Sequence, residues 1–273
     1  MKANNLSISI PYTECGKNCP YCISKMTGYM KADEELFRDN LVKARRVATA
    51  MGVSSLMITS KGEPFNNLSD LDAVISYFRN FPIEVQTNGL PLIKGDVIVR
   101  QDISTVAVSV DSPDYFSNNY AIFKVWENIH KSKAIARATI LMSNRFKGWK
   151  LHNFLAVCKE HNIRQLTFRH ATVPDNRVCT KQSREATQWI EDHYCTAHYN
   201  MIIEEIQEKV TDEKDLVLEL PFGASVYDID DISVSYFDYC VQENSNGENI
   251  RSLIYQEDGH MYLTWDKQGS IIW

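Results

Sequence analysis

The stretch TECGKNCPYCIS, Thr13 to Ser24, carries three cysteines within eight residues, spaced CxxxCxxC: Cys15, Cys19 and Cys22. It follows directly on LSISI (Leu6 to Ile10), whose alternation of apolar and polar residues reads as a β-strand. Three thiols so close together, with no fourth beside them, limit what the loop can hold. A disulfide uses two and leaves one over. A structural zinc site asks for four ligands, and the other cysteines, Cys158, Cys179, Cys195 and Cys240, lie far apart in the chain. Zinc would have to recruit one of them or a histidine. A cubane iron–sulfur cluster is the better fit. Thiolates hold its irons, and three cysteines leave one iron with an open position for a small molecule.

Downstream of the loop, short β-branched runs alternate with helical patterns. Strands are predicted at Ser55–Ser60, Ile83–Thr87, Ser104–Val110, Ile135–Met142 and Gln165–Val173. Helices are predicted at Ala32–Gly52, Leu68–Phe81, Tyr115–Ser132, Trp149–Asn162 and Ser183–Val210. About six β–α units point to a parallel sheet with helices outside it. Six units rather than eight predict an α/β fold of partial (β/α)6 TIM-like barrel type. Right-handed crossovers would then gather all the strand C-termini on one face, with the cysteine loop among them. From Thr211 the texture changes to short strands with turn signals at NSNGEN (Asn244–Asn249) and EDGH (Glu257–His260). The predicted division is a core over residues 1–210 and a small C-terminal antiparallel β cap over residues 211–273. Trp265 and Trp273 belong to that cap, where packing accounts for them better than closure over a substrate.

The chain has 273 residues and a net charge of −6. That balance argues against a surface built mainly to hold nucleic acid. A modestly basic run from Lys131 to Lys150 reads as a solvated helix end and loop rather than a phosphate site. MKANNLSISI lacks the apolar run of a signal peptide, and no stretch approaches the ~18 apolar residues of a spanning helix. The expectation is a cytoplasmic protein with no membrane association. In a reducing compartment a cysteine cluster points to metal or catalysis.

Cys15, Cys19 and Cys22, placed after the first strand, resemble the CxxxCxxC loop of the radical S-adenosylmethionine (radical SAM) enzymes. Three further strand ends extend the likeness. TSKGEPFN (Thr59–Asn66) is similar to the family's GGEP motif, with Gly62, Glu63 and Pro64 intact and Lys61 in place of the first glycine. QTNGL (Gln86–Leu90) resembles the TNG stretch of the branch that includes the molybdenum-cofactor GTP cyclase, which would make Thr87 and Asn88 cofactor contacts. VSVDS (Val108–Ser112) supplies Ser109 and Asp111 for the cofactor carboxylate or ribose, although Asp111 equally suits a cap of the next helix.

The resemblance covers roughly Met1 to Val173. It implies a [4Fe-4S] cluster on the three cysteines and S-adenosyl-L-methionine as cofactor. Tyr21 would lie against the adenine. The backbone of the Gly62–Pro64 turn and the Glu63 carboxylate would receive the methionine ammonium. It implies reductive cleavage of the cofactor to a 5′-deoxyadenosyl radical that takes hydrogen from a substrate, with an external flavodoxin- or ferredoxin-type reductant. Asn144, Arg145, Arg169 and His170, at the ends of the fifth and sixth strands, are candidates for substrate contact or catalysis. A small-molecule substrate, of nucleoside or nucleotide type, is favoured over a peptide. The alternatives are a peptide-modifying (maturase-type) enzyme and a non-catalytic metal-binding protein. Cys179, Cys195 and Cys240 loosely resemble a shortened auxiliary-cluster domain, but Glu243 stands where the last CxxC would have its second cysteine.

Overall fold

The computed structural model describes residues 2–29, 31–95, 97–118, 120–194, 196–210, 212, 215–220, 224–237, 249–265 and 270–273. Among the described residues eleven strands form one sheet. Six follow the predicted order: β1 (Lys2–Ile10), β2 (Ser55–Ser60), β3 (Ile83–Thr87), β4 (Thr105–Val110), β5 (Ile135–Met142) and β6 (Gln165–His170). Each is parallel to the next. The helices are α1 (Ile23–Thr27), α2 (Glu34–Asp39), α3 (Leu41–Ala50), α4 (Leu68–Phe78), α5 (Leu90–Ile93), α6 (Tyr120–Lys131), α7 (Leu151–Glu160), α8 (Lys181–His193) and α9 (Thr196–Lys209).

The C-terminal strands are β7 (Leu216–Glu219), β8 (Ser225–Ile229), β9 (Ile232–Phe237), β10 (Asn249–Tyr255) and β11 (Met261–Tyr262). The expected antiparallel pairs are present, β7–β8–β9 at one end and β10–β11 at the other. They do not form a separate layer. β9 runs parallel beside β6, and β10 runs parallel beside β1, so both edges of the six-stranded core are extended. The turn at Asp230 and Asp231, both with positive φ, joins β8 to β9. EDGH is the β10–β11 hairpin, with Gln256 N–H donating to the His260 carbonyl at 3.0 Å. The NSNGEN loop falls outside the described residues up to Gly247 and Glu248.

Side chains alternate along each strand. Leu6, Ile8 and Ile10 on β1, Val106, Val108 and Val110 on β4, and Ala136, Ala138 and Ile140 on β5 join the helices in one core. The opposite face is unusually polar. Ser7 and Ser9 are buried there, and Thr167 on β6 hydrogen-bonds Ser235 on β9 at 3.0 Å. Near the N-terminal end, the Arg137 guanidinium reaches across β4 to Glu84 on β3 and donates to Gln165 on β6 at 2.8 Å. This network floors the barrel interior. Arg137 is therefore structural, whereas Lys147 and Lys150 stay exposed or nearly so, as expected for a solvated run.

Gly259 shows how closely the C-terminal hairpin seats on the core. Its φ is +77°, and a Cβ there would stand 2.8 Å from the Leu36 backbone. Asn40, between α2 and α3, donates to the Gly259 carbonyl at 2.9 Å. Trp273 packs near the Tyr255 ring, 5.9 Å between centroids, under the Lys43 ammonium. That is a packing role, at the β10 edge. Among the described residues, no helix is long and apolar enough to cross a membrane.

Candidate active site

The C-terminal ends of β1 to β6 meet on one face. The cysteine loop leaves β1 at Ile10 and ends where Cys22 caps α1 in extended conformation. Cys15, Cys19 and Cys22 are free thiols, each half-buried. The loop is held from several sides. Lys25 donates to Asn18 Oδ1 at 2.6 Å and to the Cys19 carbonyl at 2.8 Å. Asn88 Nδ2, from the end of β3, donates to the Cys15 carbonyl at 3.0 Å and to Cys15 Sγ at 3.1 Å. Burial pushes the Cys19 thiol pKa up, and the Lys17 ammonium and a hydrogen bond with Tyr21 oppose that shift.

The Lys61–Pro64 turn presses against the base of this loop. A Cβ on Gly62 would lie 1.8 Å from the Thr13 carbonyl oxygen, so only glycine admits this approach. Thr13 Oγ1 closes the contact by donating to the Glu63 carbonyl at 3.1 Å. The Glu63 side chain, 1% exposed, turns inward. Its Oε1 accepts from Thr87 Oγ1 at 2.7 Å and from Phe65 N–H at 3.1 Å, and its Oε2 accepts from Asn88 N–H at 2.8 Å. Burial raises its pKa, and those three donors counter the rise. Glu63 and Thr87 thus latch the ends of β2 and β3 together. Pro64 starts the buried turn that follows.

Asp111, just past β4, sits at the centre of the mouth. It accepts from Tyr21 Oη at 2.7 Å, from Lys17 Nζ at 3.2 Å and from Arg145 at 3.2 Å. Three donors from two different loops fix one carboxylate, which is more than a helix cap requires. The cap of the next turn belongs instead to Ser112, which accepts from Tyr115 N–H at 3.3 Å. Ser109 lies two residues earlier on the same face of β4 and is exposed. Beside Asp111 and Arg145 a cavity of about 510 Å³ opens, lined by Ser112, Pro113, Asp114 and Arg145.

α8 braces the cysteine helix. Met26 of α1 packs with Ala186 and Ile190 in a second small core. Trp189 lies 5.0 Å from the Tyr21 ring and 5.3 Å from the Arg145 guanidinium. Trp189, Lys17 and Tyr115 were not singled out from the sequence. Lys17 carried a signal, being the one cation inside the cysteine spacing; Trp189 carried none.

The remaining candidates separate. Asn144 is exposed at the start of the turn after β5. The Arg169 guanidinium rests over the Phe237 ring at 5.5 Å. His170 faces the helix side, 4.9 Å from the Tyr194 ring and 5.4 Å from the Tyr199 ring, away from Asp111's face. Cys158 is buried in α7, and burial pushes its thiol up to about 12. Cys179 is exposed, while Cys195 and Cys240 lie outside the described residues. Among the described residues no three His, Cys, Asp or Glu side chains are placed to hold a single metal ion.

No family model matches the chain. A curated relative does: GTP 3′,8-cyclase of Clostridium acetobutylicum is 28% identical over 125 residues, 42% of this chain and 39% of the cyclase. In overall fold the chain is similar to SuiB of Streptococcus suis. The structure of SuiB bound to precursor peptide SuiA superposes with a TM-score of 0.57 at 14% identity, covering 95% of this chain and 59% of SuiB. The structure of SuiB bound to S-adenosylmethionine gives 0.55 at 13% identity, over 98% and 60%. The cyclase match covers part of the chain, and the likeness to SuiB is one of fold. The chain spans 39% of the length of the cyclase and 59% of that of SuiB.

Proposed function

We propose that this protein is a radical SAM enzyme, with a [4Fe-4S] cluster on Cys15, Cys19 and Cys22 and S-adenosylmethionine bound beside it. The observation that carries the reading is three free, half-buried thiols in CxxxCxxC spacing at the C-terminal mouth of a parallel barrel. The donor set suits a cluster: thiolates on separate irons need not gather round one point, as the ligands of a zinc ion must. When bound, the two groups supply one-electron cleavage of the cofactor and hydrogen abstraction from a substrate.

The chain's own residues then divide by geometry. Ser109, exposed on the inner face, and Tyr21 are contact residues for the cofactor. Asp111 is held ready by Tyr21, Lys17 and Arg145 to meet a polar group without reorganisation. Gly62 and Pro64 offer backbone at close range. Glu63, Thr87 and Asn88 act mainly by positioning, since their polar atoms are spent on one another and on Cys15.

For the substrate, the match to a GTP cyclase supports a small molecule of nucleotide type. The second reading is a peptide, supported by the whole-chain likeness to SuiB, which has been solved with a precursor peptide. An external one-electron donor completes either scheme. The protein, reconstituted without oxygen, should be brown and bind iron and sulfide. With dithionite and S-adenosylmethionine it should release 5′-deoxyadenosine. A colourless protein holding zinc would refute the reading, and a cluster with no 5′-deoxyadenosine would leave only a binding role.

A further inference from the structure

Lys61 stands where the family's motif has its first glycine, so nothing in the shared chemistry requires a cation there. The structure shows where that side chain goes. Lys61 is half-buried and its side chain runs to α1, the helix that Cys22 caps. Its Nζ donates to Thr27 Oγ1 at 2.9 Å and to the Gly28 carbonyl, both at the C-terminal end of α1. In return Ser24 Oγ, in the first turn of α1, donates to the Lys61 carbonyl at 2.8 Å. Both ends of this short helix are thereby tied to the residue that ends the β2 turn. A cation at a helix C-terminus is also favoured by the exposed carbonyls there.

We propose that Lys61 is a positioning residue for the cysteine loop: it clamps α1 to the end of β2 and lays a fixed positive charge on the helix that Cys22 caps, which favours the reduced state of a bound cluster. The inference rests on the reading of Cys15, Cys19 and Cys22 as cluster ligands. Ser24, two residues from Cys22, bonds the Lys61 backbone directly, so the charge is carried on the helix that follows the third cysteine. Burial lowers the Lys61 pKa, and Glu257 and Cys22 oppose that shift. A half-buried charge is screened by solvent far less than a surface one.

Two variants separate charge from shape. Lys61→Met keeps the stem and removes the charge and both hydrogen bonds; Lys61→Arg keeps the charge. The readouts are iron content, the cluster midpoint potential by redox titration followed by electron paramagnetic resonance, and amide exchange over Met26–Gly28 in the cluster-free protein. Lys61→Met should bind iron and lower the one-electron reduction equilibrium about tenfold, a shift of about 59 mV to more negative potential. Its Met26–Gly28 amides should exchange faster. Lys61→Arg should recover most of the potential. A Lys61→Met potential equal to wild type, an equal shift in both variants, or unchanged exchange at Met26–Gly28 would each overturn the proposal. Should Lys61→Met not fold, Lys61→Gly, which restores the family's residue, is read in the same way. A wild-type protein that takes up no cluster overturns the ligand reading itself, and is told apart by its iron content.

Discussion

Replacing Gly62 with alanine tests whether the β2 turn sets the position of the cysteine loop. The added Cβ would lie 1.8 Å from the Thr13 oxygen, 2.9 Å from its carbonyl carbon and 3.1 Å from its nitrogen. All three are backbone atoms, so no side chain can swing aside. Ordinary contact requires the two segments to part by about 1.5 Å. Thr13 is two residues from Cys15, so that parting displaces the first ligand. Overpacking of this kind costs about 1–3 kcal/mol. Losing the bond from Thr13 to the Glu63 carbonyl adds about 1 kcal/mol. The expected loss of stability is therefore about 2–4 kcal/mol, read as a lower urea midpoint at unchanged slope. Iron uptake should fall severalfold in the fraction that remains folded. Gly95→Ala is the control: its φ of +78° strains an added side chain, but nothing lies within 4 Å of the new Cβ. It should cost only about 1 kcal/mol, from backbone strain. Equal losses in the two variants, or wild-type iron binding by Gly62→Ala, would refute the reasoning.

Cys15→Ala, Cys19→Ala and Cys22→Ala should each abolish the visible cluster absorption and 5′-deoxyadenosine release, whereas Cys158→Ala should keep both and lose about 1–2 kcal/mol of stability in denaturation, as expected for a small buried cavity. Asp111→Asn strands three donors around a neutral group; it should cost about 2–4 kcal/mol and weaken S-adenosylmethionine binding at least tenfold by isothermal titration. His161, stacked on Phe123 at 4.3 Å, has a pKa lowered first by burial. The unfolded chain therefore takes up its proton more readily than the folded one. The neutral histidine's contribution is full above the unfolded value of about 6.5 and is lost as pH falls below it toward the lower folded value. Thermal melts from pH 7 to pH 5 should show a decline that His161→Gln reduces; an unchanged decline would discount the residue.

The six β–α units were legible because period-two strands and capped helices are local signals, and the first five strands end where expected or within a residue. Two predicted long helices proved to be pairs. Ala32–Gly52 divides at Asn40, whose side chain is committed to Gly259, and no local rule foresees a partner so distant. Ser183–Val210 divides after Tyr194, which is extended. The C-terminal strands were recognised, but their partners were not. Hairpin punctuation suggested a self-contained cap, while the parallel pairing of β9 with β6 and β10 with β1 depends on long-range burial. At the site, the cysteines and the Gly62 turn were readable from type and spacing. Asp111 reads equally as cap or site in the sequence, because the donors that converge on it come from residues 34 to 94 positions away. Trp189 could not be found, because an aromatic on an amphipathic helix gives no sign of what it will touch.

The place of β1 bears on the order in which the molecule is assembled. It lies between β2 and β10, and its register with β10 pairs Ala3 with Ile250 and Ile8 with Tyr255. The cysteine loop is thus synthesised well before β10, and one wall of the strand that carries it arrives more than two hundred residues later. Contacts of such separation form late, because loop closure must precede any gain from pairing. Until then the three thiols sit on a half-supported strand, exposed to oxidation and to stray metals. Whatever group those thiols are to hold is best delivered once β10 has arrived.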